Sequence, residues 1–545
     1  MALRLFLFLS FCSLGWAVSE GHLQFLLQQG QVDSVLQLTQ NPHQTPLSTT
    51  VLRSLALSLL KQGMQTRDPE TQLLTLFGAA VSCNEQACEI LEIGLKSPFL
   101  PMQLLAVQGV ARLQLDRSED VLVKAMGSPF FMVRLEALEQ LANLHNPIVL
   151  SLAEALFCKA PLPLLLSYPS ILAKVGTKPA IMKLRRFLTD PSLELRVAAL
   201  LHMHSLARED LLPYIRSKLL SASLPEQEAA AFLVGSLGDN HLLAPLQTLA
   251  SSKDLFVRLS AADALLHLGE EKAFRIIQRE VEKKNCYAIS LLGKWQDPLS
   301  HLPTLLQDQQ AHVRINALLA ALHMGVSLPI PLCKEVLLQD PKQTLMTSQH
   351  SPGTCLVSLA STPTYTIPSS LLPAALESDL AIKEKILTHL HRQDPPAFFS
   401  LADAVVKARR EELLPTLMAL LQEDGSPDAV EWLTRYTDTL GAPFIRNTCL
   451  LTLYRIQKKK EWGVMLREWA KEKNQTFFLQ LEQKGSHKDR YLLSPEQTSG
   501  LLIQIFETFA AERDPEGIQM LLEGIALGHP KNRYVLAGLL LRATE

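Results

Sequence analysis

The sequence predicts an all-α protein, an α-solenoid of stacked helical hairpins that ends in a divergent helical region. Three observations predict it. Sliding the stretch 190–269 by 31 residues in either direction lands on a copy of itself. Stepping back from Arg258 by 31 meets Gln227, Arg196, Leu165, Arg134, Gln103 and Gln72, and three residues past each landmark from Gln103 onward stand Ala106, Ala137, Tyr168, Ala199, Ala230 and Ala261. Ten residues past stand Leu113, Leu144, Val175, Leu206, Leu237 and Leu268, with Gly176, Gly238 and Gly269 following three of them. A small and a large residue at constant helical spacing make a helix that admits a neighbour closely at one point and fills the gap at another.

A chain of 545 residues is too long for one ordinary core, so it is either several domains or a stack whose core grows with each unit. The repeat selects the stack. Aromatic residues at 6% and charged residues at 19% describe a Leu- and Ala-rich helical chain that is not disordered. A formal charge of −2 supplies no overall attraction for nucleic acid or an anionic membrane, so no nucleic-acid partner is expected.

Met1 to Arg4 followed by apolar Leu5 to Phe11 has the pattern of a secretory signal, with cleavage after Ala17, or after Ser19 with Ala17 at the minus-three position. The expectation is an exported chain, periplasmic or secreted, with a signal peptide over 1–17. A buried first helix is the competing reading; a lipid anchor on Cys12 is disfavoured by the bulk of Phe11. No later stretch offers about 18 apolar residues without charge or proline, so no transmembrane span is expected.

Residues 20–66 read as helices broken by a turn over 41–46, with Leu52, Leu55, Leu59 and Leu60 as an apolar stripe that caps the stack. Asp68-Pro69-Glu70 opens the first phased unit. Each unit is a first helix, as in 242–250, a polar turn, as in 251–254, and a second helix, as in 257–268. Asp, Ser or Pro in the turns caps or starts the second helix, whose first amides lack partners within the helix. One hairpin cannot bury both faces, so stability comes from its neighbours.

These residues carry a family resemblance. Asp190-Pro191 through Leu195-Arg196 to Ala198-Ala199, Val257-Arg258 through Ala261-Ala262 to Leu268-Gly269, and Val313-Arg314 through Ala317 to Met324-Gly325 resemble HEAT repeats, in particular the short class of about 30 residues shared with phycobilin-lyase-like proteins. The resemblance covers about residues 68–325. It implies a curved superhelix whose second helices line the inner surface, and it supplies no reactive residue to carry over.

Arg134, Arg196, Arg258 and Arg314 read either as an anion-binding row or as stems packed between helices, each bonding a carbonyl or carboxylate in a turn of an adjacent unit. The second reading needs no ligand and is the one expected. Arg258 and Arg314 are 56 residues apart, six short of two periods, which places a shortened unit around 285–295. From 343 to 376 there is no Asp, Glu, Lys or Arg, while twelve Ser/Thr and four prolines interrupt any helical pattern. The expected division is therefore a solenoid over 20–340, a Ser/Thr/Pro-rich loop or linker over 341–376, and divergent helical hairpins over 377–545, where the alanine column does not return.

The search for chemistry is mostly negative. There is no dinucleotide or P-loop fingerprint, no nucleophile elbow and no His-Glu-x-x-His. His202 and His204, like His389 and His391, are two apart and diverge on a helix. The cysteines have no zinc-ligand spacing and read as buried small hydrophobes, although a Cys83–Cys88 bridge is conceivable in a turn. No catalytic residue, metal or cofactor is expected.

Two candidate surfaces remain. In 455–473, seven bases against Glu461, Glu468 and Glu472 give +4. Arg455, Lys458, Lys459, Lys460, Arg467 and Lys471 accompany Trp462 and Trp469, a pattern that suits an anionic membrane or acidic partner, or else a terminal hairpin with buried tryptophans and solvated lysines. If second helices line an inner face, one exposed column is Arg112, Asn143, Lys174, Ser205, Ser236 and His267, with His323 in a later unit. It is polar and mixed, as a surface for a protein partner would be. The function expected is a non-enzymatic interaction scaffold or adaptor; the alternatives are a lyase-like enzyme or ligand carrier on the same repeats, or a peripheral membrane-binding protein.

Overall fold

The computed structural model describes residues 19–39, 47–113, 116–158, 160–203, 212–238, 240–295, 301–345, 347, 372–437, 442–485, 491–513 and 515–545. The expected leader over 1–17 and residues 346 and 348–371 of the Ser/Thr/Pro-rich stretch lie outside them. The described residues are helical almost throughout. They fall into two compact units, one holding residues 19–140 and 425–545, the other 141–424.

In the second unit, the helices Tyr168–Val175, Leu193–Met203, Leu224–Leu237 and Leu255–His267 pack each upon the next. The alanine column is why they can. Ala106, Ala137, Ala199, Ala230 and Ala261 are all 0% exposed. Tyr168, the exception in the column, is 3% exposed and stacks on Phe157 with ring centroids 4.7 Å apart, in a helix of only 8 residues. The second helices start and stop on the expected signals. Asp254 Oδ1 accepts the Val257 amide at 3.0 Å, and Gly238 ends Leu224–Leu237 at φ +72°, where a side chain would be strained. The shortened unit is present: Cys286–Leu292 has 7 residues where Ala311–Met324 has 14. Helix Leu372–Gln393 begins inside the stretch read as irregular, with Pro373 in its first turn, where the missing amide is harmless.

The landmark column acts locally. Gln72 Nε2 donates to the Thr66 carbonyl at 2.8 Å, Gln103 Nε2 to Ser97 at 2.6 Å, Gln227 Nε2 to Ser221 at 2.7 Å, and Arg134, Arg196, Arg258 and Arg314 Nη1 to Ser128, Asp190, Ser252 and Asp308 at 2.6, 2.7, 2.7 and 2.9 Å. Each bond reaches back six residues. The carbonyl thus belongs to the residue's own turn and not to an adjacent one, while the bond expected to an adjacent unit is made to carboxylates. Three arginines also reach forward to a carboxylate of the following unit: Arg196 to Glu226 at 2.7 Å, Arg258 to Glu280 at 3.1 Å and Arg314 to Glu335 at 2.8 Å.

In the first unit the final helix Arg533–Ala543 packs on Thr49–Gln65 and Pro69–Val81. The helices expected to cap the stack are themselves covered. Two glycines allow it: a Cβ on Gly538 would lie 1.9 Å from the Gly78 carbonyl oxygen, so only hydrogen fits between these backbones. Polar bonds hold the same seam, with Arg53 Nη2 on the Thr544 carbonyl at 2.8 Å, Lys531 on Asp68 at 3.0 Å and Arg533 on Asp33 at 3.0 Å. Among the described residues the all-α expectation has one exception, an antiparallel hairpin of Leu481–Gly485 and Tyr491–Pro495 in the register Leu481 to Pro495 and Gly485 to Tyr491. Its second strand packs on Leu100–Leu113.

Candidate functional site

The last turn of each second helix carries the expected surface column. Arg112, Asn143, Ser236, His267 and His323 are exposed and Lys174 is half-buried; Ser205 lies outside the described residues. Arg112 belongs to the first unit and the other described members to the second. Arg112, Lys174, His267 and His323 stand where helix carbonyls are left without amides, and a base there is favoured by those carbonyls alone.

At one point the column becomes a built cluster. Asp263, 5% exposed and one turn before His267, accepts Lys294 Nζ at 3.0 Å on Oδ2 and the Trp295 indole N–H at 2.8 Å on Oδ1. His267 Nδ1 donates to the Asp263 carbonyl at 2.9 Å and sets its ring edge-on to Trp295, centroids 4.5 Å apart. Because a carbonyl only accepts, this fixes the tautomer and turns Nε2 outward. The next helix closes on the cluster: a Cβ on Gly293 would be 2.8 Å from His323 Cβ and 3.0 Å from Ala320 Cα. Burial first, then the charges of Lys385 and Lys294, hold the His323 imidazole below its ordinary pKa. Beneath the surface Ser260 Oγ lies 3.3 Å from the Tyr287 hydroxyl, and burial pushes that phenol well above its usual range. Sequence reading found His267 and His323 but missed Asp263, Lys294, Trp295 and Lys385. The available signal was Asp263 and Lys294 standing one repeat period apart.

The basic-aromatic segment is placed differently. Its Lys460–Thr476 helix belongs to the first unit, and three of its candidate bases face carboxylates of neighbouring helices: Lys458 pairs with Glu512, Arg467 with Glu516, and Lys471 with Glu523 at 3.3 Å. Arg455 Nε donates to Thr508 at 3.1 Å, and burial pushes its guanidinium below the usual value. Lys459 Nζ sits 4.6 Å over the Trp462 ring. Trp462 and Trp469 are half-buried and Lys460 is exposed. Three of the candidate bases are thus paired, and both tryptophans are partly covered. Arg467, Lys471, Asn474, Glu516 and Glu523 line a cavity of about 790 Å³, with Arg467 paired to Glu516 and Lys471 to Glu523. Positive and negative linings match, so the cavity has no marked charge preference.

Among the described residues no three His, Cys, Asp or Glu are grouped to hold a metal ion, and no helix is long and apolar enough to cross a membrane. Cys88, Cys286, Cys333 and Cys449 are buried and free, as small hydrophobes are; Cys83 and Cys158 are free and exposed, so no Cys83–Cys88 bridge forms.

No family model and no curated protein matches the chain. Solved structures similar to it include the CpcE–CpcF phycocyanin lyase complex of Nostoc, at 18% identity and TM-score 0.24, covering 44% of this chain and 95% of that one. Yeast importin-beta (Kap95p) matches at 12% identity and TM-score 0.35 over 94% of this chain and 72% of that one. An AP-3 complex chain matches at 12% identity and TM-score 0.26, over 93% and 97%. At such scores no function passes between the proteins, and the stacked-hairpin assignment rests on the packing of this chain itself.

Proposed function

We propose that this chain is an interaction scaffold that binds a partner protein along the exposed last turns of its second helices, and that it acts after export directed by its first 17 residues. The observation that supports the reading is the Asp263 cluster. A buried carboxylate binds Lys294 and the Trp295 indole, and so presents an aromatic ring and a cation at a fixed place on an otherwise polar surface. Rigid aromatic and cationic side chains with a polar surround are the composition of a protein-binding surface. The lyase-like alternative requires a cavity lined by reactive side chains, and the 790 Å³ cavity combines the Arg467–Glu516 and Lys471–Glu523 pairs with apolar Phe506, Ile518 and Met520.

The test is site-specific photocrosslinking in the cells that produce the protein, with the reactive group at position 236 or 323 and a control at exposed Lys253. The reading expects one protein crosslinked from 236 and 323 and not from 253, and retained more weakly by W295A. Equal capture from all three positions would sink it. Export is checked by fractionation, which should find mature chain lacking the leader outside the cytoplasm.

A further inference from the structure

Four helices of the second unit, each separated from the next by another helix in the chain, bring a row of bases to one edge. Leu255–His267 ends at His267, Cys286–Leu292 is followed by Lys294 and Trp295, Ala311–Met324 carries His323 in its last turn, and Leu372–Gln393, packed on Ala311–Met324, carries Lys385. His267, Lys294, His323 and Lys385 are exposed. The carboxylate bonded to this row, Asp263, is nearly buried and already accepts one donor on each oxygen. Lys385 has no carboxylate partner among the described residues. After burial, the charges that hold down the His323 imidazole are those of Lys385 and Lys294, which agrees with an electropositive edge.

We propose that the edge formed by His267, Lys294, Trp295, His323 and Lys385 docks an extended acidic segment of the partner protein, with carboxylates on Lys294 and Lys385 and the intervening chain across the Trp295 ring. The proposal rests on the scaffold reading and adds the chemistry of the partner to it. Packed helices stand 8–10 Å apart, so four elements span roughly 30 Å, or about nine residues of extended chain. Lys294 keeps its free N–H groups toward solvent while Asp263 fixes its position, which limits the freedom lost on binding. Charge complementarity of this kind acts on encounter as well as on retention and is weakened by salt.

The experiment uses the full chain and a fluorescein-labelled polyglutamate peptide of about nine residues, with polylysine of equal length, a single-stranded RNA oligonucleotide and anionic phospholipid vesicles as separate arms. The expected result is binding of polyglutamate that weakens with added salt, falls at least about tenfold in K294E/K385E, and is unchanged in K253E, at the opposite end of helix Leu255–His267. Circular dichroism and urea unfolding of each variant establish that it is folded; if K294E/K385E is not, K385E alone, at a side chain with no structural bond, gives the answer. Binding of polyglutamate that K385E leaves intact, equal binding of polylysine, or tighter binding of RNA or vesicles overturns the proposal. A partner still crosslinked from position 323 in K294E/K385E would overturn the acidic chemistry alone and leave the scaffold reading standing.

Discussion

Arg258 Nη2 lies 3.1 Å from Glu280 Oε1 while Nη1 of the same guanidinium donates to the Ser252 carbonyl at 2.7 Å. One side chain thereby closes the turn before its own helix and fastens the following unit. The planar fork of arginine does both at once and ends on a carboxylate, whereas Gln103 holds its own turn at Ser97 and reaches forward only to accept the Ser128 hydroxyl at 2.5 Å. Lysine in this place should lose one of the two bonds. R258K is expected to lower stability by about 1–2 kcal/mol, read by urea denaturation, because Lys283 continues to hold Glu280 at 2.9 Å. R258Q should keep the turn and lose only the forward bond. Unfolding midpoints within error of the wild type for both would remove the two-handed role.

The Gly78 and Gly538 backbones leave no room for a methyl group. G538A is expected to cost about 3 kcal/mol, since the clash is with a carbonyl oxygen and not with a side chain that can turn aside. G238A meets open space and is strained only through φ +72°, so about 1–2 kcal/mol is expected. Thermal unfolding of the pair should rank them in that order.

Asn532 is 0% exposed and satisfies three groups of helix Lys460–Thr476 and the segment that follows it. Its Oδ1 accepts the Leu479 amide at 2.7 Å, and its Nδ2 donates to Asn474 Oδ1 at 2.7 Å and to the Phe477 carbonyl at 2.8 Å. N532A leaves these groups buried without partners, and a loss of about 3 kcal/mol should follow. Hydrogen exchange at the Leu479 amide should accelerate with it.

Asp379, 3% exposed, accepts the Leu345 amide at 2.6 Å, yet burial raises its pKa from 3.8 to about 6, with that hydrogen bond and then Lys383 acting in the other direction. An acid with a raised folded pKa contributes stability that is complete below the unfolded value and lost as pH rises through the folded one. The window here runs from about pH 4 to pH 6. Asparagine keeps the acceptor and cannot ionise. D379N should therefore gain on the wild type across that window by on the order of 2–3 kcal/mol and hold a constant lead above it. Parallel stability curves for the two proteins from pH 4 to 7 would refute the assignment.

Several of these features were readable before any coordinates. The columns at Arg258 and Ala261 repeat because every unit meets the same neighbour in the same way, and such a constraint leaves a periodic trace in the chain. The forward carboxylates leave a poorer trace: Glu226 lies 30 residues beyond Arg196, but Glu280 and Glu335 lie 22 and 21 beyond Arg258 and Arg314. Side-chain reach, not register, decides those. The same holds for the basic segment at 455–473, where local sequence shows +4 and the neutralising Glu512, Glu516 and Glu523 come from elements far along the chain. The hairpin at Leu481–Gly485 was missed because its five-residue strands are too short for alternation to stand out.

By itself the sequence determined the helical hairpin, its period and the face each helix hides, since these follow from the spacing of small and large residues along a single helix and from turn residues beside it. Tertiary structure alone decided that the last helix lies on the first repeats, with Gly538 against Gly78, and that Trp295 and Lys294 gather on Asp263. Both are meetings between distant parts of the chain. Their energy comes from close approach and from the removal of charge from water, and neither quantity exists until the partners are side by side.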